Sequence, residues 1–130
     1  MSTLTEVFGP PISTYSRAQA IEDGVLIDVS TWASAAEMIG GFTCPVAMSA
    51  ALWAKVQAPK QSLQDTRGRA HDVLWMAGLA FRRGLALHRP ADHAHPFVVK
   101  LGARLVRAYV TVGPGDAMEP VATILLHGED

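Results

Sequence analysis

The sequence predicts an α+β fold in which N-terminal helices and a long central helix pack on a C-terminal antiparallel β-meander of about three strands. Helical stretches with polar N-caps and glycine or proline ends occupy the N-terminal part of the chain. After residue 96, short β-branched runs alternate in polarity and are separated by turn residues. The chain has 130 residues, no internal repeat and no long linker, so residues 1–130 are expected to form a single domain.

The first predicted helix lies in the stretch TYSRAQAIEDG, residues 14–24. Three hydroxyl residues could act as its N-cap: Ser13, Thr14 and Ser16. The helix should end near Glu22, because Gly24 follows an acidic pair and permits the chain to reverse. The next segment, Val25–Asp28, is β-branched and apolar. It is predicted to be a short buried strand and is a candidate to join the sheet.

Two further helices are predicted before the central one. Ser30 or Thr31 caps a helix over Trp32–Ile39. Pro45 then opens a third helical stretch, which Pro59 ends. The apolar face of that stretch comprises Val46, Leu52, Trp53 and Val56.

The longest helix is predicted over Arg69–Leu85, between polar loops at 58–68 and 86–96. Its centre, VLWMAGLAF, is apolar around most of its circumference. Such a helix is expected at the middle of the core, with Trp75 buried.

Three strands are predicted after this helix, at Phe97–Leu101, Arg104–Val112 and Val121–Leu126. In the second strand, the side chains of one face are Val106, Ala108, Val110 and Val112. Arg107 and Tyr109 lie on the other face, away from the valines.

Charge is unevenly distributed along a chain whose net charge is −1. Residues 1–50 carry one basic and five acidic side chains, residues 51–110 ten basic and three acidic, and residues 111–130 four acidic and none basic. A basic middle segment of this kind could meet an anionic partner, or its charges could simply mix with the others on folding. The candidate binding residues in this segment are Arg82, Arg83, Arg104, Arg107 and Tyr109.

No motif predicts catalysis or a metal site. His71 and Asp72 open the long helix, but no serine or cysteine on a tight turn accompanies them as a nucleophilic triad would require. The loop HRPADHAH carries three histidines without the spacing of a zinc motif: His88, His93 and His95. We therefore expect no enzyme, no metal and no cofactor. A small hydrolase that uses these histidines is the least favoured alternative.

Cysteine usage and hydropathy indicate the compartment. Cys44 is the only cysteine, which excludes an internal disulfide, and its apolar neighbours suggest a small buried side chain. The sequence contains no apolar run long enough to span a bilayer and no leader pattern. A cytoplasmic protein without a membrane partner is expected.

The stretch YSRAQAIEDGVLIDVS resembles the N-terminal motif of a small uncharacterised bacterial family carried on plasmids, integrative elements and phages. The segments DVLWMAGLAFRR and GPGDAMEPVATILLHGED resemble the long helix and the acidic C-terminal end of that family. The chain departs from the family in loop 86–96, which is shorter and richer in histidine. Four polar residues of the motif do not face the predicted core: Tyr15, Arg17, Glu22 and Asp23. An internal polar clamp is the preferred interpretation of these residues, and a binding surface is the alternative.

The resemblance implies a non-enzymatic accessory protein that binds and inhibits a host defence complex of the anti-CRISPR or anti-restriction type. Its partner would be a host protein or ribonucleoprotein complex. A small nucleic-acid-binding protein is the alternative. A continuous basic stripe on the folded surface would favour nucleic acid, whereas segregated patches would favour a protein partner. The sequence does not predict the oligomeric state.

Overall fold

A computed structural model describes residues 15–31, 41–58 and 65–129. Within these ranges the chain forms three helices and one five-stranded sheet with the order β1-β2-β5-β4-β3. The helices are α1 (Arg17–Glu22), α2 (Ala50–Gln57) and α3 (Thr66–Ala86). The strands are β1 (Leu26–Asp28), β2 (Val46–Ser49), β3 (His95–Leu101), β4 (Arg104–Pro114) and β5 (Pro120–Leu126). The α+β class is thus confirmed, with two strands more than the predicted meander.

The C-terminal meander is confirmed. Strands β3, β4 and β5 pair antiparallel in chain order, and Leu101 lies opposite Arg104 across a two-residue turn. Gly102 takes the positive φ of 65° that such a tight hairpin needs at its first position. Burial alternates strictly along β3, and Val106, Ala108 and Val110 are buried on the valine face of β4, which therefore faces the core.

Strand β2 corrects the prediction of a helix from Pro45. Val46–Ser49 is a fully buried strand, parallel to β5 and antiparallel to β1. Helix α2 begins only after Ser49, whose hydroxyl accepts a hydrogen bond from the Leu52 amide at 3.2 Å. Val46 therefore lies in the sheet rather than on a helical face. The short apolar run of β2 is typical of a strand that is buried on both faces.

The short N-terminal strand joins the sheet at the edge, through β2. It spans Leu26–Asp28. Asp28 is exposed, and so is Val25 just before the strand, so the strand is less buried than predicted. Helix α1 begins after Ser16, which forms a capping box with Gln19. The predicted helix Trp32–Ile39 lies outside the described residues.

Helix α3 starts at Thr66, earlier than predicted, because the Asp65 carboxylate accepts a hydrogen bond from the Gly68 amide at 2.6 Å. Helices α2 and α3 cover one face of the sheet and bury Leu52, Leu74 and Ala77 in the main core. Trp75 is 49% exposed, so the prediction that it is a core residue is wrong. The sheet covers only one face of α3, and the half-exposed Trp75 lies outside that face, at a groove beside β3.

Helix α1 lies on the opposite face of the sheet. Its Arg17 reaches Thr123, which pairs with Thr111 on the side of the sheet that faces away from the core. Ala20, Ala47 and Val121 are buried without belonging to the main core cluster. They mark a small second apolar layer under α1, beside β2 and β5.

Candidate interaction surface

Arg17 of the N-terminal motif connects α1 to the sheet. Its guanidinium donates to the Thr123 hydroxyl and to the Ala122 carbonyl oxygen, both at 2.7 Å. Partial burial lowers the pKa of Arg17 below its ordinary value, although Asp28 and Asp116 act in the opposite direction. These contacts are those of an internal polar clamp.

Asp116 caps α1 from the β4–β5 turn. Its two carboxylate oxygens accept hydrogen bonds from the amides of Arg17 at 2.8 Å and Ala18 at 3.0 Å. These amide bonds lower the pKa of Asp116 below its ordinary value of 3.8, that of Ala18 having the larger effect. No local sequence pattern signals this contact, since Asp116 lies 99 positions from Arg17.

The other motif residues lie at the ends of α1. The Tyr15 hydroxyl donates to the Asp23 carboxylate at 2.8 Å, and this bond raises the pKa of Tyr15. Glu22 is exposed on the last turn of α1. Tyr15 is also 52% exposed, so the contact between Tyr15 and Asp23 is on the surface.

The candidate basic residues lie on different parts of the molecule. Arg82 and Arg83 are exposed near the C-terminal end of α3, in the helical layer. Arg107 is exposed in the middle of β4, and its alternation with the buried Val106 and Ala108 directs it to the face that α3 does not cover. The sheet therefore separates Arg107 from the two helical arginines.

Arg104 lies at the far end of the helix–sheet unit. It lines a groove of about 420 Å³ together with Lys55 and Leu101. Arg83 precedes Gly84, and Gly84 packs against His95 at the start of β3. Arg104 instead pairs with Leu101 at the end of β3. A strand of that length separates the two ends by roughly 20 Å. The four arginines therefore do not form one continuous stripe.

The loop histidines are not brought together. His88 and His93 are exposed, but His95 is 1% exposed and lies in a strand, so the prediction that it belongs to the polar loop 86–96 is wrong. His95 opens β3, and its Nε2 lies 3.0 Å from the Pro90 carbonyl oxygen and 3.2 Å from that of Ala91. Both neighbours are acceptors, which assigns the proton to Nε2.

No metal centre forms within the described ranges: no group of three His, Cys, Asp or Glu side chains there could hold an ion. His71 and Asp72 are 3.4 Å apart on an exposed surface of α3, and the His71 ring stacks on Trp75. Cys44 is half-buried against the core, and this burial raises the pKa of its thiol. Its environment disfavours the reactive thiolate.

The most distinctive surface is the side of β3 and β4 that faces away from α3, which we call the outer face. Its residues are Pro96, Val98, Lys100, Leu105, Arg107 and Tyr109. Leu105 is 73% exposed and Val98 is 47% exposed, and Val98 lies directly opposite Arg107. A groove of about 330 Å³ runs between Pro96, Arg107 and His127. Apolar and cationic side chains therefore alternate across this face.

Tyr109 borders the outer face but is partly buried. Its hydroxyl donates to the Glu129 carbonyl oxygen. The Glu129 carboxylate accepts from the Ser49 hydroxyl at 2.6 Å, so the C-terminal segment is held against the sheet. Sequence reasoning singled out Arg107 and Tyr109 but missed Val98 and Leu105. The available signal was the presence of apolar residues on the polar side of an alternating strand.

The fold and surface define a mixed α+β domain with an exposed, partly apolar sheet face. The model of the family described as "Family of unknown function (DUF6573)" matches residues 5–81, which is more than half of the chain. The chain belongs to this family. The matched region includes the YSRAQAIEDG motif and most of α3, whereas the C-terminal stretch GPGDAMEPVATILLHGED lies outside it.

No curated protein and no solved structure matches the chain significantly. Among the described helices, none combines the length and the hydropathy needed to cross a bilayer.

Proposed function

We propose that this protein is a non-enzymatic binding protein, and that its outer face docks on a protein component of a host defence complex of the CRISPR or restriction type. The observation that carries the binding role is the outer face itself. Leu105 and Val98 expose apolar surface beside the cations Arg107 and Lys100. A protein surface with apolar side chains and nearby carboxylates would complement this arrangement.

The placement of the cations favours a protein over a nucleic acid. A nucleic-acid site needs a continuous basic track with exposed aromatic rings. Here Arg107 and the pair Arg82 and Arg83 lie on opposite sides of the sheet. Tyr109, which lies on the same face of β4 as Arg107, is partly buried and has its hydroxyl bonded to Glu129. The nucleic-acid alternative therefore has weaker support.

The choice of a defence complex rests on the resemblance of the YSRAQAIEDG motif to proteins of mobile elements. This motif gives no surface chemistry of its own, because Arg17 is engaged within the fold. The type of target is therefore a separate proposal from the binding face. An enzymatic role has little support, since His71 and Asp72 form an exposed pair and His95 is buried.

The proposal is tested by phage plaquing on hosts with an active CRISPR or restriction system, with and without the protein. Inhibition by binding should saturate near one inhibitor per target site and weaken with salt, because the Debye length falls from about 10 Å at 0.1 M to about 3 Å at 1 M. Arg107→Glu and Leu105→Asp should abolish protection. Arg67→Glu, an exposed charge reversal on α3, is the matched control and should preserve it.

Three outcomes would contradict the proposal. Absence of protection across a broad panel of defence systems would overturn the choice of target. Equal activity of the Arg107→Glu and Arg67→Glu proteins would overturn the outer face as the binding site. Protection at strongly substoichiometric doses would indicate catalysis instead of binding.

A further inference from the structure

Strand β3 is an edge strand of the five-stranded sheet that the described residues form. Within residues 15–31, 41–58 and 65–129, β4 is its only strand partner. The two-residue turn makes Leu101 and Arg104 a hydrogen-bonded pair. The backbone groups of Leu101 and of every second residue before it in β3 therefore point to β4. The backbone groups of Pro96, Val98 and Lys100 therefore point outward. They offer three carbonyl oxygens and two amides, because proline has no N–H.

A stripe on α3 runs beside this edge. Helical spacing places its four residues on one flank, at i, i+4, i+7 and i+11: Asp72, Met76, Leu79 and Arg83. Asp72 and Met76, together with Trp75, line a groove of about 190 Å³ against β3. Trp75 and Leu79 are 49% and 42% exposed. The flank is thus acidic at one end, apolar in the middle and basic at the other end.

We propose that the protein forms a symmetric dimer in which the β3 strands of two copies pair antiparallel and the two α3 stripes pack against each other. A two-fold axis at Val98 lets each Val98 exchange two hydrogen bonds with Val98 of the partner subunit. Each Lys100 amide then donates to the carbonyl of Pro96 of the partner subunit. This register uses both outward amides and requires none from Pro96.

The helical stripe has the same axis. Gly84 lies against His95, and Met76 borders the groove at Val99. The midpoint of the stripe, between residues 77 and 78, is about 10 Å along α3 from Gly84 at 1.5 Å per residue. That distance corresponds to roughly three residues of strand, which reaches Val98. An axis at Val98 therefore places Asp72 opposite Arg83 of the partner subunit.

The dimer brings the two copies of α3 next to each other. Helix α3 packs more closely on β3 than on β4, and the inward side chains of both strands share one core with it. In the ten-stranded sheet of the dimer, the two copies of α3 would therefore lie at most about two strand spacings apart, or roughly 9–10 Å. Packed helices have interaxial distances of about 8–10 Å. The interface is short, so the dimer should be weak and sensitive to salt.

The first test is the oligomeric state of the full chain by sedimentation velocity over a micromolar-to-millimolar concentration range. The wild type should convert from monomer to dimer. Val98→Lys should abolish the dimer, because it places two lysines beside each other on the axis. Leu105→Lys is the matched control: it makes the same apolar-to-lysine change on the outer face, one strand away from the edge. It should dimerise as the wild type does.

The second test uses the charges at the ends of the stripe. Asp72→Arg and Arg83→Asp should each weaken self-association by about tenfold, because each creates like-charge pairs across the axis. An equimolar mixture of the two variants should form a heterodimer, in which every pair is again of opposite charge. Residues 72 and 83 are roughly 16 Å apart along one helix, so this recovery cannot arise within a single chain.

A wild type that stays monomeric over the whole range would overturn the proposal. So would equal behaviour of the Val98→Lys and Leu105→Lys proteins, a mixture of the charge variants that stays monomeric, or assemblies larger than a dimer. Circular dichroism of each variant checks that the fold is retained. Binding of an extended peptide to the β3 edge of a monomeric wild type would assign this edge to a partner strand and also refute the dimer.

Discussion

Replacing Gly84 with alanine should destabilise the protein, although alanine is the better helix former. Gly84 is buried on the last turn of α3, against the buried ring of His95. A Cβ atom at this position would lie 2.0 Å from His95 Nδ1 and 2.6 Å from its Cε1. Ordinary contact begins near 3.4 Å, so the ring would have to move by more than 1 Å.

Several opposing effects determine the size of the loss. Helix propensity favours alanine over glycine by roughly 1 kcal/mol. Overpacking a core typically costs about 1–3 kcal/mol. Moving the His95 ring would also weaken the hydrogen bonds from Nε2 to the Pro90 and Ala91 carbonyl oxygens, and an unsatisfied buried group costs roughly 1–3 kcal/mol. We expect a net destabilisation of about 2–4 kcal/mol.

Urea unfolding followed by tryptophan fluorescence and far-UV circular dichroism measures this loss. Gly68→Ala is the matched control on the first turn of α3, because the Cβ there would meet only the exposed Asp65 carboxylate at 3.1 Å, which can shift. It should change the free energy of unfolding by less than about 1 kcal/mol. The double variant Gly84→Ala/His95→Ala should lose less than the sum of its single variants, since the clash is removed. Additive losses, or a Gly84→Ala protein as stable as the wild type, would refute the reasoning.

Three further predictions concern the surface of α3, the α1 cap and metal content. Trp75→Ala should lower the free energy of unfolding by only about 1–2 kcal/mol because the Trp75 side chain is half exposed, whereas Leu74→Ala should lower it by about 2–5 kcal/mol. A larger loss for Trp75→Ala than for Leu74→Ala in chemical denaturation would contradict the structure. Asp116 has a lowered pKa, so its contribution to stability is present above its ordinary value of 3.8 and is lost as the pH falls through the folded value. The stability curves of the wild type and Asp116→Asn should therefore converge in acid, and a gap that stays constant with pH would disprove the capping role. Protein purified without a histidine tag should contain no stoichiometric zinc by elemental analysis, and one zinc per chain would reverse that expectation.

The meander could be predicted because its signals are local. Alternation along Arg104–Val112 has a period of two, and the GPGD turn separates it from β5. The start of β3 was missed because His95 and Pro96 resemble a loop. Proline fits there because its missing amide would point to the open edge of the sheet, where no strand bond is lost in the monomer.

The errors arose where long-range contacts decide the structure. Val46–Ser49 is too short to distinguish a strand from a helix, and its state depends on pairing with β5, far along the chain. Trp75 was assigned to the core because the helix is apolar all round, but only one face of α3 meets the sheet. The outer face could be predicted in part. The alternation along β4 placed Arg107 and Tyr109 on the side away from the valines. Their distance from Arg82 and Arg83 could not be predicted, because it depends on which face of the sheet α3 covers.

The position of the family match separates the scaffold from the proposed binding surface. The match ends at residue 81 and contains α1, β1, β2 and α2, whose strand β2 pairs with β5 outside the matched region. Arg17 of the motif likewise bonds to Ala122 and Thr123 in β5. The matched region therefore requires the C-terminal strand to complete its sheet. The outer face belongs to β3 and β4, also outside the match. The match thus covers Arg17 and part of the core, whereas Val98, Leu105 and Arg107 of the proposed binding surface lie outside it.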